Sequence, residues 1–287
     1  MAQTENFKDW LFRYQYLYGI RRSDKSKKRF IGALVADLAA MGAAPQVIEY
    51  DQQKKSAARN VYVGDLKRAK KVICTYYDTP PVSIGDYVYF DRKQQSRQTI
   101  LAILTGSLAV LLAGAAGLAW LMGNDWFALD FGRPLTYVGI ALVLVFFLVL
   151  GRVAKGLSNR RNLVRNTGSV LLLLAMIEAA QDPQVAYAFI DEGTYGERGL
   201  EVLQSSLKKG TPVYFLEAVA ADAPLYIKDN ETAPFSKAAV TDFQGAPQVR
   251  YIFSGEPGTA GFTLSKKLLK SKEINMNNID QLITAFS

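Results

Sequence analysis

Apolar positions along this chain change their spacing from one stretch to the next. Phe7, Trp10, Leu11, Tyr14, Leu17 and Tyr18 keep the spacing of one helical face. The same spacing returns at Phe30, Ile31, Leu34, Leu38 and Met41 until Gly42 stops it. Residues 7–19 and 26–41 are therefore predicted as amphipathic helices packed on a core. Short β-type runs follow at 47–50, 60–63 and 72–77, and the last meets Asp78-Thr79-Pro80-Pro81, which has to leave the sheet. Periodicity then disappears, because 99–122 and 135–150 carry no charged side chain at all. Beyond them come an apolar helix over 169–180 stopped by Asp182-Pro183, a strand at 185–190, a helix near 199–207 and a strand at 212–219. Strands alternating with helices predict an α/β fold with a mixed, largely parallel central sheet flanked by helices.

The uncharged stretches interrupt this alternation. The first runs from Thr99 to Met122, and at ~1.5 Å per residue it reaches ~36 Å, more than the ~30 Å of a hydrocarbon core. The second reaches Ala154 if the Arg152 side chain snorkels. A buried hairpin of a soluble protein is the competing reading. Two apolar runs joined by a short loop favour a transmembrane hairpin over 99–155, with 123–134 as its loop. Residues 1–98 and 156–287 are then two parts of one domain.

Charge orients the hairpin. The loop has a single base, Arg133, against Asp125 and Asp130, with Trp126 and Phe127 beside them. The flanks carry Arg92, Lys93 and Arg97 before the first span and Arg152, Lys155, Arg160 and Arg161 after the second. An excess of bases on both flanks predicts a plasma-membrane protein with two spans whose termini and main domain are cytoplasmic, with a lean toward a bacterial one. The first long apolar run starts only at Thr99, so a cleaved secretory leader is not expected. The whole net charge of +8 lies in residues 1–98, the remainder being balanced. Anionic headgroups are the natural partner of such a distribution, and no nucleic-acid-binding motif is present to suggest another.

Composition removes whole classes of chemistry. The 287 residues contain no histidine, so Ser-His-Asp, Cys-His and histidine-based zinc sites are excluded. The lone Cys74, within the apolar Val72-Ile73-Cys74, can form neither an internal disulfide nor a thiolate metal cluster, and reads as a buried strand residue.

Five local motifs, in order, resemble the co-catalytic di-zinc aminopeptidases, the group that includes relatives of glutamate carboxypeptidase and glutaminyl cyclase. Arg21-Arg22-Ser23 before the second helix looks like that family's opening segment, and Ala58-Arg59-Asn60-Val61 like its Asn-Val strand. Thr75-Tyr76-Tyr77-Asp78-Thr79 resembles a strand ending in His-Tyr-Asp-Thr, and Arg165-Asn166-Thr167-Gly168 resembles Asp-Asn-Thr-Gly before a central helix. Phe189-Ile190-Asp191 through Gly196 and Gly199 resembles the glycine-punctuated loop that carries Glu-Glu. The resemblance spans nearly all of the chain outside the hairpin. It implies that fold, and two zinc ions bridged by a carboxylate and a water, with a glutamate taking the water's proton.

Carried over residue by residue, the resemblance implies a dismantled site. The first histidine ligand falls on Tyr76, the bridging aspartate on Arg165, and the catalytic glutamate with its neighbouring ligand on Gly193 and Thr194. An aspartate ligand falls on Glu217, and the last histidine has no counterpart. Asp78, Asp191 and Glu217 remain, without bridge or base. Two readings of Arg165 stay open: a cation that replaces the metals among these carboxylates, or a headgroup-facing residue continuing Arg160 and Arg161. The expected protein is a pseudo-peptidase without cofactor that binds a membrane or cytoplasmic partner, or another copy of itself. A residual hydrolase using the three carboxylates around one oxygen-liganded ion is the alternative. The small residues Gly106, Ala109, Ala113, Gly114, Ala116 and Gly117 serve either the hairpin's own packing or a second membrane protein.

Overall fold

A computed structural model describes residues 4–53, 56–123, 132–179, 182–194, 196–229, 232–241, 248–258 and 261–287. The expected loop residues Asp125, Trp126, Phe127 and Asp130 lie outside them. The chain divides into two compact units, one comprising Met1–Pro80, Asp86–Phe90 and Asn159–Ser287, the other Pro81–Gly85 and Asp91–Ser158.

The first unit opens with α1 (Glu5–Phe12), a wider π-type turn over Arg13–Leu17, and α2 (Asp24–Ala40). The single helix expected over 7–19 is thus divided, with the Tyr18 amide reaching back to the Arg13 carbonyl at 2.9 Å. Ser23 and Ser26 form a reciprocal cap that starts α2. The strands β1 (Gln46–Gln53), β2 (Ser56–Val63) and β3 (Lys71–Tyr76) follow, then the short β4 (Tyr87–Val88).

In the second unit, α3 (Arg92–Gly123) and α4 (Pro134–Ala154) are both long and apolar enough to cross a membrane. Helix α3 starts seven residues ahead of the apolar run, where the Asp91 carboxylate accepts the Gln94 amide at 2.9 Å and caps it. Almost none of either helix's apolar window is buried, so neither packs as a core helix within this chain. The two run antiparallel. A Cβ on Gly114 would overlap the Phe146 ring, and one on Gly106 would sit 3.1 Å from Val153. Those two glycines serve the hairpin's own packing, whereas Gly117 has open space around it.

The first unit resumes with a π-type turn, Leu163–Thr167, running into α5 (Gly168–Ala179), then β5 (Val185–Ile190), α6 (Arg198–Ser206) and β6 (Val213–Glu217). The C-terminal quarter adds β7 (Leu225–Lys228), β8 (Thr232–Pro234), α7 (Lys237–Thr241), β9 (Val249–Ser254), β10 (Glu256–Gly258), β11 (Gly261–Leu264), α8 (Lys266–Leu269) and α9 (Met276–Phe286). One eight-stranded sheet has the order β1-β2-β5-β3-β6-β9-β7-β8. Its centre, β5-β3-β6-β9, is parallel and its margins are antiparallel, so the sheet is mixed and largely parallel at its middle as expected. A small antiparallel sheet, β10-β11-β4, stands beside it.

Both faces of β3 are covered, which is why its sequence is an unbroken apolar run. Val72, Cys74 and Tyr76 join a core with Leu200 and Leu203 of α6, while Ile73 joins the larger core around α5. Helix α5 is buried all round from Gly168 to Ile177, closed in by Phe7 and Trp10 of α1, Leu34 of α2 and Leu282 of α9. The chain leaves this unit after Pro80, re-enters it for Asp86–Phe90 and comes back finally at Asn159, whose amide donates to the Pro80 carbonyl at 3.3 Å.

Candidate functional site

Parallel strands bring their C-terminal ends to one edge of the sheet, where an open α/β fold places its ligands. Here β3 delivers Tyr76 and, just beyond it, Asp78 and Thr79. From β5 come Asp191, Gly193 and Thr194, and β6 ends on Glu217. The turn before α5 adds Arg165 and Asn166. Glu192 and Ala218, immediately after these strand ends, adopt left-handed backbone angles (φ 58° and 50°) that side chains other than glycine rarely take.

Asn166 ties the edge together. Its amide nitrogen donates to the carbonyls of Tyr76 (2.6 Å) and Asp78 (3.2 Å), and its oxygen accepts from Arg21. Arg21 is wholly buried and donates further to the carbonyls of Tyr77 (2.6 Å) and Tyr18 (2.9 Å) and to Thr167 Oγ1 (2.9 Å). Burial pushes its guanidinium down to about 10, with the Asp78 charge opposing the shift, so it stays protonated at neutral pH.

Each carboxylate has an occupant supplied by the chain. Asp78 Oδ1 accepts the amides of Gly193 (3.0 Å) and Thr194 (3.3 Å), while Thr194 Oγ1 donates to the Asp78 carbonyl. Asp191 is buried with its Oδ1 only 2.6 Å from Lys27 Nζ, and it also accepts the amides of Glu192 and Arg59. Glu217 accepts the Tyr87 hydroxyl. Burial raises the Tyr87 phenol well above its ordinary range, and the Glu217 charge adds to that, so Tyr87 remains a neutral donor.

Arg165 is 8 % exposed, and its guanidinium lies 4.0 Å from the centre of the Tyr87 ring. That position overturns the headgroup-facing reading. Burial works against its charge, but the oxygens of Tyr76, Tyr87 and Glu217 outweigh it and hold the guanidinium above its ordinary range. Its Nε and the Tyr76 hydroxyl are buried without a well-formed hydrogen bond among the described residues. Gly193 is required by Tyr76, since a Cβ there would overlap the Tyr76 ring. All seven expected positions, Tyr76, Asp78, Arg165, Asp191, Gly193, Thr194 and Glu217, thus gather at the strand ends, in two clusters. Arg165, Tyr76 and Glu217 meet Tyr87, whereas Asp78 and Asp191 meet Lys27 and the backbone of Gly193 and Thr194. The membrane-flank bases Arg92, Lys93, Arg97, Arg152, Lys155, Arg160 and Arg161 are all exposed.

These residues do not fit a pair of zinc ions. Among the described residues no group of three His, Cys, Asp or Glu is placed to hold a metal, and Arg165 and Lys27 put fixed cations beside the remaining carboxylates. The same geometry fails to assemble Asp78, Asp191 and Glu217 around one ion.

Asp78 titrates unusually. Burial, followed by the charge of Asp191, raises it to about 6, while Lys27 and Thr194 pull the other way. The folded protein therefore keeps this proton to a higher pH than the unfolded chain does. Stability falls as pH rises from about 4 to about 6, by up to ~1.4 kcal/mol per pH unit, and the full cost persists above that window. Asp78→Asn keeps an acceptor for the Gly193 and Thr194 amides without the charge. Its melting temperature should exceed the parent's at neutral pH and meet it near pH 4; an equal difference at both values would refute the burial argument.

Lys27 and Tyr87 were missed from sequence. Lys27 lies on the polar side of a helix, far in sequence from Asp191, and Tyr87 belongs to a two-residue strand in a stretch that reads as loop. The only available hint was that a buried carboxylate needs a partner.

Comparison with solved structures bears on the fold. A Zn-dependent exopeptidase from Parabacteroides distasonis ATCC 8503 superposes with a TM-score of 0.52 at 12% identity, covering 100% of this chain and 98% of that one. This chain has the zinc-exopeptidase fold. A leucine aminopeptidase precursor from Bacteroides thetaiotaomicron VPI-5482 gives a TM-score of 0.51 at 12% identity, over 100% of this chain and 97% of that one. The glutaminyl cyclase of Bacteroides thetaiotaomicron gives 0.50 at 13% identity, over 98% and 93%. No protein-family model and no curated protein matches the sequence. Identities this low speak for architecture alone.

Proposed function

We propose that this chain is a membrane-anchored pseudo-peptidase, a cytoplasmic unit of exopeptidase fold held at the plasma membrane by the α3–α4 hairpin and acting by association. The observation that carries the reading is the fate of the three carboxylates. Lys27 takes Asp191, the Gly193 and Thr194 amides take Asp78, and Tyr87 with Arg165 takes Glu217. A metal would have to displace the half-buried Lys27 ammonium and the buried Arg165 guanidinium to reach them. Histidine, which would supply both ligand and base, is absent from the chain. The exposed flanking bases and the exposed apolar helices support the anchor and its cytoplasmic orientation.

Purified protein incubated with zinc and then desalted should retain no stoichiometric metal. It should cleave no aminoacyl substrate and cyclise no N-terminal glutaminyl peptide above a mock purification. Retained zinc together with turnover abolished by a chelator would overturn the proposal. Extraction in mild detergent should yield a stoichiometric protein partner or a homo-oligomer, and a monodisperse monomer alone would remove the assembly role.

A further inference from the structure

Three large apolar side chains of the first unit stand open at its surface. Phe12 is 57% exposed, Tyr16 64% and Leu17 56%. They share one side of α1 and the turn after it, while Trp10 and Tyr14 of the same stretch are buried. The Phe12 and Tyr16 rings are 5.4 Å apart between centroids, so the patch is continuous. Isolated exposed apolar residues are ordinary; a contiguous aromatic group is a feature of interaction surfaces.

A basic turn is fixed beside this patch. The Asn162 side chain donates to the Gly19 carbonyl at 3.2 Å, two residues beyond Leu17, and the Arg161 amide donates to Asn159 Oδ1 at 2.9 Å. Arg160 and Arg161, on this turn, are both exposed. Arg160 follows the last residue of α4, Ala154, by six residues, and ~3.5 Å per residue limits their separation to about 20 Å.

We propose that Phe12, Tyr16 and Leu17 insert into the headgroup–acyl boundary of the cytoplasmic leaflet while Arg160 and Arg161 contact anionic headgroups, giving the cytoplasmic unit a second attachment to the bilayer. The inference rests on the membrane-anchored reading. A ring with a polar tip, as in Tyr16, favours this boundary, side chains such as Phe12 and Leu17 bury on its acyl side, and bases are attracted to an anionic surface. Three side chains make too small a patch for a typical protein partner, which takes ~800 Å² on each side. They suffice here because the hairpin already holds them near the lipid at high effective concentration. Docking fixes which face of the unit the bilayer covers.

The test uses full-length protein in nanodiscs containing phosphatidylglycerol, with a fluorophore on cysteine introduced by Tyr16→Cys, Phe12→Cys, Val145→Cys or Lys209→Cys. Native Cys74 is buried, and unsubstituted protein gives the labelling background. Lipids with a shallow nitroxide should quench positions 12 and 16 about two-fold or more over the exposed position 209, and lipids with a deep nitroxide should quench position 145. Quenching at 12 and 16 no greater than at 209, with 145 still quenched, overturns the docking and leaves the spans intact. An unquenched position 145 overturns the anchor itself. Arg160→Glu combined with Arg161→Glu should reduce quenching at 16 in phosphatidylglycerol; an unchanged signal overturns the headgroup contact.

Discussion

Arg165→Met will lower the melting temperature of the detergent-solubilised protein by on the order of 10 °C. Its guanidinium is buried against the Tyr87 ring and faces Glu217, which accepts the Tyr87 hydroxyl. Methionine replaces the stem and deletes the cation. A buried carboxylate is left among phenols that stay protonated, at a cost of about 3 kcal/mol or more, and a unit of this size loses ~2–4 °C per kcal/mol. Adding Glu217→Gln removes the stranded charge and should restore a large part of the loss. The double-mutant cycle should show a coupling of about 1–3 kcal/mol. A single variant that melts within a degree or two of the parent would end the view that Arg165 stands where a metal once did.

Arg21→Met is expected to be at least as damaging, for a different reason. Arg21 is wholly enclosed, and its donors satisfy two backbone carbonyls, the Asn166 side chain and Thr167 Oγ1. These acceptors come from the turn after α1, the end of β3 and the turn before α5, so one side chain joins three elements. Each buried acceptor left without a donor costs ~1–3 kcal/mol, and the sum approaches the ~5–15 kcal/mol that holds a domain folded. The variant should accumulate poorly and be degraded rapidly by limited proteolysis. Arg21→Lys should recover only part of the loss, because a single ammonium cannot span acceptors arranged for a planar fork. Protease resistance equal to the parent's in Arg21→Met would refute the role.

Much of the fold was legible because it rests on burial. The apolar runs at 72–77, 169–180 and 185–190 became β3, α5 and β5, since elements covered on every side need apolar residues throughout. The uncharged stretches became the two exposed helices. The C-terminal quarter was hidden: β7 alternates buried and half-buried residues over four positions, and β9 carries Arg250 inside it, so neither forms a run long enough to stand out. At the site, order along the chain placed Tyr76, Asp78, Arg165, Asp191, Gly193, Thr194 and Glu217 at neighbouring strand ends. Pairings were beyond it. That Asp191 belongs to Lys27 and not to Arg165 depends on where α2 lies across the sheet, and no local pattern encodes that.

The central strand has a consequence for biogenesis. β3 is synthesised before the hairpin, yet both of its neighbours, β5 and β6, are synthesised after it. A ribosome therefore has to synthesise two long apolar helices while β3 waits with both edges unpaired. Completion of the sheet is thus delayed until the hairpin has been made, and a nascent chain stalled before β5 presents its aggregation-prone edges longest.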